Sequence, residues 1–460
     1  MGKAPLIISV SGLRGLVGTS LDEGVVSRYV GAFVRYLRES EVWGQFPPRI
    51  VTGYDGRSSG EALLEVVHQT LWAGGLEPCP LGVAATPTVG FLTAHGQFLG
   101  GIQLTASHNP HPWNGLKLFH ASGRVLPGVE GEKVRHFYES GENGGVFNGE
   151  SGEKGWEVRG IDFQKSHIEA ILALVDVEAI RKKRYSVLLD ANHGSGSVLG
   201  KVLLEALGCE VFFAQAGEKP DGKFVHTPEP IAENLSETAG EVAKKGCVVG
   251  FCQDPDADRL AVVDERGNYI GEEYTIVLCA EAILRRGGRG ALVTNGASSL
   301  MTRDLARKYG VPYFYTPVGE ANVVDRMMAE QALFGGEGNG GPIEPRIGWV
   351  RDSFVGMALI LDFLASEEVP ISRLVERYEK YVLRKEKLSF DTRNLPTWYA
   401  RLQEHFSDAV VDTGDGLRLA WEDRWLLVRP SNTEPIVRLM AEAKTVEGVE
   451  ELFEIARNLA

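Results

Sequence analysis

The stretch Arg49-Ile-Val-Thr-Gly-Tyr54, then Gly60-Glu-Ala-Leu-Leu-Glu-Val-Val-His-Gln-Thr-Leu-Trp-Ala73 and Gly74-Gly75, sets the fold. A short apolar strand gives way to a segment with helical periodicity, and two glycines stop it. The cycle repeats at once, with Leu76–Leu81 as a strand, Pro87–His95 as a helix and Gly100–Leu104 as a third strand. It resumes with Tyr185–Asp190, a glycine-rich turn, a helix to Leu207 and Cys209–Ala214. It appears again as Ala291–Thr294, Ser298–Tyr309, Val311–Tyr315, Val318–Glu330 and Ala332–Phe334. Short strands alternating with amphipathic helices predict parallel sheets with helical crossovers.

Beyond about Ser372 the pattern changes. Leu417–Trp421 and Trp425–Val428 flank Glu422-Asp-Arg424 as a hairpin, Ile436–Ala441 is a further strand, and Val446–Leu459 is a closing helix. The segment Gly141–Gly155 is rich in Gly, Asn, Glu and Ser and reads as a linker. The expected fold class is α/β, with three similar α/β domains of mixed, mainly parallel sheets and a smaller α+β C-terminal domain. The expected divisions are 1–152, 153–253 leading into a loop at 254–259, 260–370 and 371–460. A chain of 460 residues is too long for one core.

Bulk composition narrows the function. A hydrophobic fraction of 43% and a charged fraction of 24% are those of a globular enzyme. The net charge of −14 repels a polyanion, so no nucleic-acid partner is expected, while a small cationic pocket can still take a phosphorylated metabolite. The five cysteines form no C-x-x-C pair, which indicates free thiols rather than a disulfide framework or a zinc site. No apolar run approaches the ~20 residues that span a bilayer, and none near the N-terminus suits a signal peptide. A soluble cytoplasmic protein with no membrane partner is the expectation.

Four loops carry chemistry. The first, Thr105-Ala-Ser-His-Asn-Pro-His-Pro-Trp-Asn-Gly-Leu-Lys117, follows a strand, where an α/β sheet presents its ligand-binding edge. Its prolines predict a stiff, exposed loop in which Ser107, beside His108 and near Lys117, could be a nucleophile or phosphate carrier. A polar turn with a buried histidine is the alternative. The second is Cys252-Gln-Asp-Pro-Asp-Ala-Asp-Arg259, with Asp254, Asp256 and Asp258 alternating. Pro255 keeps it out of a helix, so all three carboxylates can turn to one side, and hard oxygen ligands suit Mg²⁺. An EF-hand is rejected, because Arg259 stands where the calcium loop needs glycine and strands flank the motif. The third is Gly335-Gly-Glu-Gly-Asn-Gly-Gly341, which offers only Glu337 and Asn339 as side chains, both suited to hydroxyl recognition, with a merely flexible turn as the alternative. The fourth, Arg429-Pro-Ser-Asn-Thr-Glu-Pro435 with Arg438 beyond it, reads as a phosphate cradle or a hairpin-end turn. A further turn, Gly194-Ser-Gly-Ser-Val-Leu-Gly200, resembles a dinucleotide fingerprint, and a tight strand–helix turn explains it equally well.

In this order the four loops resemble those of the α-D-phosphohexomutase family, over essentially the whole chain. The resemblance implies four domains around a central cleft, each contributing one loop. It implies phosphoserine at Ser107, and one Mg²⁺ held by Asp254, Asp256 and Asp258 together with that phosphate. Glu337 would grip sugar hydroxyls, with Asn339 beside it. Arg429, Ser431, Asn432, Thr433 and Arg438 would hold the phosphate that is not reacting. Arg14 and Arg259 match positions near the transferring group, and Lys117 or His108 is the candidate general base. The expected reaction interconverts hexose 6-phosphate and hexose 1-phosphate, with a hexose 1,6-bisphosphate as intermediate and activator and a hinge near Pro370–Ser372. The partners are phosphosugars, and the chain is expected to be a monomer or homodimer. The sugar loop departs from the common G-E-x-S-G-H, with Asn339 for serine and Gly341 for histidine. Glu320 stands where relatives often carry histidine or aspartate. The E-x-N-G-G form occurs in branches that look like phosphoglucosamine mutases, so glucosamine phosphate is the expected substrate and mannose or glucose phosphate the alternative. A magnesium-dependent sugar phosphatase, a dinucleotide-dependent oxidoreductase and a non-catalytic sugar-phosphate sensor are the rival functions.

Overall fold

The computed structural model describes residues 6–9, 12–141, 163–430 and 436–460. These form four sheets. In the first, the spatial order is Leu6–Ser9, Gly12–Leu16, Trp113–His120, Gly100–Leu104, Arg49–Tyr54 and Glu77–Val83. Arg49–Tyr54 pairs in parallel with both of its neighbours, and the other pairings are antiparallel. The second sheet runs Leu260–Asp264, Val249–Gln253, Ser186–Asp190, Glu210–Phe213. The third runs Tyr313–Thr316, Leu292–Asn295, Phe334–Glu337, Gly341–Ile343. The fourth, Val382–Ser389, Ile436–Ala443, Trp425–Pro430, Leu417–Ala420 and Val410–Asp412, is wholly antiparallel.

A repeated device places the chemistry. In each of the first three units a strand with a parallel partner turns back into an antiparallel neighbour, and a candidate loop is the tip of that turn. Residues 105–112 join Gly100–Leu104 to Trp113–His120, residues 254–259 join Val249–Gln253 to Leu260–Asp264, and residues 338–340 join Phe334–Glu337 to Gly341–Ile343. The internal similarity of the three units is therefore also a similarity of site position.

Two expected divisions move. Leu260–Asp264 pairs with Val249–Gln253, so the second unit continues through its acidic loop to Asp264 instead of ending at 253. The helix Ile371–Val375 buries Ile371 and Leu374 in the core of the middle units, and the Ser372 backbone N–H and hydroxyl donate to Glu265 at 3.3 and 2.5 Å. Pro370–Ser372 is thus the start of a packed helix that belongs with the middle units, and the fourth sheet begins only at Val382.

The helix Ser353–Glu367 is buried on every side through Ala365, as expected of a helix enclosed by other elements. Asp352 caps it, accepting from the N–H groups of Phe354 and Val355. The same carboxylate lies 2.9 Å from Nε2 of His167, whose Nδ1 is 3.2 Å from the Thr88 hydroxyl of the first unit. One capping residue therefore ties the central helix to the unit that carries Ser107. All five cysteines are buried and free. Among the described residues no helix is long and apolar enough to cross a membrane.

Truncating a side chain in a packed helix leaves a cavity. Ile371→Ala should lower unfolding free energy by about 2–5 kcal/mol in a denaturant titration. A change below about 0.5 kcal/mol would mark a loosely held hinge and contradict this packing.

Candidate active site

Ser107 sits in a loop rooted in buried backbone. Its φ is +49°, a left-handed conformation that costs a non-glycine residue about 1–3 kcal/mol and needs support from its surroundings. That support is present. The Ser107 N–H donates to Thr105 Oγ1 at 2.8 Å, and the Thr105 hydroxyl donates to Asp55 Oδ2 at 2.6 Å. Ser107 is only 1% exposed, so the expected surface loop is in fact buried at its functional residue. Its hydroxyl donates to Asp254 Oδ2 at 2.9 Å and lies 3.3 Å from Nδ1 of His108. Residues 147 apart in sequence thus meet across two units.

Asp254, Asp256 and Asp258 are fully buried, and one oxygen from each lies within 4.8 Å of the others. Burial and the charges of Asp256 and Asp258 push the Asp254 carboxyl well above its ordinary range. Burial also opposes charge on Asp258, but Arg351, Lys117 and Arg259 overcome it and hold that carboxyl below its usual value. Lys117 donates to Asp256 Oδ2 at 3.0 Å and to Asp258 Oδ2 at 2.7 Å, and Thr86 Oγ1 donates to Asp256 Oδ2 at 2.7 Å. Oδ1 of Asp256 and Oδ1 of Asp258 are buried without a partner. Cations and a hydroxyl therefore hold one oxygen of Asp256 and of Asp258, and the other is left without a partner. A hard divalent cation fits this arrangement, since it takes carboxylate oxygens and compensates their charge.

Arg14, His108 and Arg259 gather beside the same loop. Arg14 Nη1 donates to Asn109 Oδ1 at 3.3 Å, and Arg259 lies 3.9 Å from Asp254 and 3.7 Å from Glu229. Burial, with Arg259 and Arg14 nearby, pushes His108 well below its ordinary value and keeps it neutral. Lys117 behaves oppositely. Burial disfavours its charge, yet Asp256, Asp258 and Glu320 more than offset this, and its pKa rises. The same surroundings therefore oppose a proton on His108 and favour one on Lys117.

The glycine-rich loop packs directly on the acidic one. Leu260 N–H donates to the Gly340 carbonyl at 2.8 Å, and a Cβ on Gly340 (φ +82°) would meet the Leu260 oxygen at 2.2 Å, so only glycine fits. Glu337 is buried and accepts from Asn295 Nδ2 at 2.7 Å, Gly319 N–H at 3.1 Å and Arg351 Nη1 at 2.8 Å. Asn339 Nδ2 is 3.5 Å from Glu337 Oε2, while Asn339 Oδ1 is buried without a partner.

Family comparisons agree with this geometry. Models described as phosphoglucomutase/phosphomannomutase alpha/beta/alpha domains I, II and III match residues 6–144, 165–267 and 271–381, and the corresponding C-terminal domain matches 391–459. The chain belongs to the phosphoglucomutase/phosphomannomutase family. It is 35% identical to a phosphoglucomutase/phosphomannomutase of Thermococcus kodakarensis, covering 100% of this chain and 98% of the relative. It is 31% identical to a phosphoglucosamine/phosphogalactosamine mutase of Sulfurisphaera tokodaii, covering 96% of each. A crystal structure of a phosphoglucomutase/phosphomannomutase family protein from Burkholderia thailandensis superposes with a TM-score of 0.82 at 26% identity, covering 98% and 97%. This phosphohexomutase is accordingly an isomerase that relocates a phosphoryl group.

The fourth unit turns cations toward the third unit of the phosphohexomutase. Leu417, Leu419, Leu426, Val428, Val437 and Leu439 face the unit's own core, so alternate residues must face the other way. That second face carries Trp425, Leu427 and Met440 against Leu300 of the third unit. It also carries Arg429, directly opposite Arg438, which is opposite Lys387 on the next strand. Like charges opposed across a sheet are unfavourable without an anion nearby. Asp415 supplies part of the compensation, 3.1 Å from Arg429, and accepts from the Val318 N–H of the third unit at 2.9 Å. Ser431, Asn432 and Thr433 lie outside the described residues.

The dinucleotide-like turn is structural. A Cβ on Gly196 would meet Gln253 Oε1 at 2.2 Å, and the Ser195 hydroxyl donates to the Pro255 carbonyl at 2.9 Å. The acidic loop occupies the space that a pyrophosphate would need.

Arg351 was missed from the sequence. Its Nη2 donates to Asp258 Oδ2 at 2.6 Å and its Nη1 to Glu337, and its Nε is 3.2 Å from Glu320 Oε2. One guanidinium thus joins the acidic loop to the glycine-rich loop. Arg351→Met would leave three buried carboxylates without that cation, so unfolding free energy should fall by about 3–5 kcal/mol in urea. A neutral substitution would show that the three anions have other compensation.

Proposed function

We propose that this phosphohexomutase interconverts hexose 6-phosphate and hexose 1-phosphate through a phosphoryl group carried on Ser107 and a hexose 1,6-bisphosphate, with glucosamine phosphate preferred. The observation that carries the reading is the contact of the Ser107 hydroxyl with Asp254, one of three buried carboxylates that suit one cation, two of which keep an unpartnered oxygen. When bound there, Mg²⁺ would neutralise charge on the transferring phosphoryl group.

The chain's own groups supply the rest. His108, whose Nδ1 is 3.3 Å from the Ser107 hydroxyl, would relay a proton there, and Arg14 and Arg259 would face an anion on Ser107. The bisphosphate must turn over so that its second phosphate reaches Ser107. The Arg429–Arg438 pair therefore has to receive a phosphate from either end of the sugar, and its unfavourable charge pairing would be relieved by either one. Because Arg429 approaches Asp415, which also holds Val318, closure of the fourth unit and phosphate capture would proceed together.

Asn339 would read the C2 substituent. Its buried Oδ1 lacks a donor, which a hydroxyl or an amine can provide, and an ammonium would make the stronger, charge-assisted bond. The phosphoglucosamine/phosphogalactosamine mutase among the relatives points the same way. The Thermococcus phosphoglucomutase/phosphomannomutase keeps glucose and mannose phosphates as the second reading.

Two measurements separate these. Ser107→Ala should fold normally and lose nearly all turnover, since it retains the site but has no carrier. Retained activity in that variant would remove the phosphoenzyme. Across glucosamine, glucose and mannose phosphates, kcat/KM should favour glucosamine phosphate, and Asn339→Ser should shrink the preference by about tenfold. A wild-type preference of about tenfold or more for glucose or mannose phosphate would overturn the sugar assignment and leave the mutase chemistry standing.

A further inference from the structure

We infer that Arg57 is the positioning residue of the phosphoryl-carrier loop, holding the Ser107 peptide in its left-handed conformation by gripping the loop's carbonyls. The inference rests on the reading of Ser107 as the carrier. Arg57 is 1% exposed, and its guanidinium is spent on one small region of backbone. Nη2 donates to the carbonyls of Ser107 and Asn109, both at 2.7 Å, Nη1 donates to the Trp113 carbonyl at 3.0 Å, and Nε donates to Asp55 Oδ2 at 3.0 Å. Asp55 also receives the Thr105 hydroxyl, which accepts the Ser107 N–H. Both polar groups of the Ser107 residue's backbone are therefore anchored on a single buried ion pair. Ala106 and Ser107 bring no other side chain to this task.

The second unit closes over the grip. The Phe224 ring lies 4.8 Å from the Arg57 guanidinium and stacks on His111, whose Nε2 is 2.7 Å from the Gly222 carbonyl. A Cβ on Gly222 would stand 2.7 Å from the Arg57 Cα. The guanidinium is thus walled in, and the aim of the Ser107 hydroxyl toward Asp254 depends on the two units meeting here. Arg57 touches neither the reacting atoms nor the acidic loop, so its role is geometric. Displacing a reacting group by about 1 Å is enough to cost about a hundredfold in rate.

The test follows phosphate on Ser107 by peptide mass mapping after dephosphorylated full-length chain is mixed with Mg²⁺ and glucose 1,6-bisphosphate. Arg57→Met should slow Ser107 phosphorylation and kcat by about a hundredfold, with KM within about twofold of wild type. Arg57→Lys, which keeps the charge but cannot span three carbonyls, should recover little of the loss. Phe224→Leu keeps the grip without its lid and should slow phosphorylation by about tenfold at unchanged KM. Wild-type phosphorylation rates in Arg57→Met overturn the inference. So does a wild-type rate in Phe224→Leu if Arg57→Met fails to fold. Phosphate on another residue of the wild type overturns the carrier reading first, and this inference with it.

Discussion

Three aspartates in a space that water does not reach are the constraint around which the molecule is arranged. Carboxylates at such short range repel one another, and the low local dielectric magnifies the repulsion. Lys117 from the first unit and Arg351 from the third enter because the second unit brings only Arg259 to its own loop. Interunit packing and site electrostatics are then one problem. The first and third units meet the second where its negative charge must be neutralised, and the ligand-facing loops are brought together there.

The repeat explains why the same region also does chemistry. Each of the first three units ends a strand with a parallel partner in a tight turn to an antiparallel neighbour, and such strand ends are where α/β sheets offer groups to a ligand. The fourth unit solves a different problem with a different sheet. It buries one face on its own helices and turns the other, carrying Arg429 and Arg438, toward the third unit. An all-antiparallel sheet can do this because only one of its faces needs a core of its own.

Much of this was legible in the residues. Arg49–Tyr54, Gly60–Ala73 and Gly100–Leu104 are found where periodicity and the glycine stops place them. The strings around Ser107, Asp254 and Glu337 concentrate their chemistry in a few adjacent residues, so a single sequence exposes them. The divisions at 260 and 371 were misplaced for a physical reason. A strand that returns antiparallel beside its predecessor looks like the start of a new unit until its pairing is known, and a short apolar helix after Pro370 looks like a boundary until its burial is known. Arg57, Arg351 and Asp415 were missed because the contacts that give each its place, to Ser107, Asp258 and Val318, are with residues distant in sequence. Signals existed nonetheless. Asp55-Gly-Arg57 directly follows the end of a central strand, and Arg351 precedes Asp352, the cap of a long, mostly apolar helix.

The central claim is that the three buried carboxylates form one divalent-cation site between the units. Isothermal titration of Mg²⁺ into the wild type and into Asp256→Asn tests it without reference to turnover. The account predicts a single saturable site in the wild type and an affinity lowered by at least about tenfold in the variant, because a charged ligand is replaced by a neutral one. Equal titrations in the two proteins, or no saturable binding in the wild type, would contradict it.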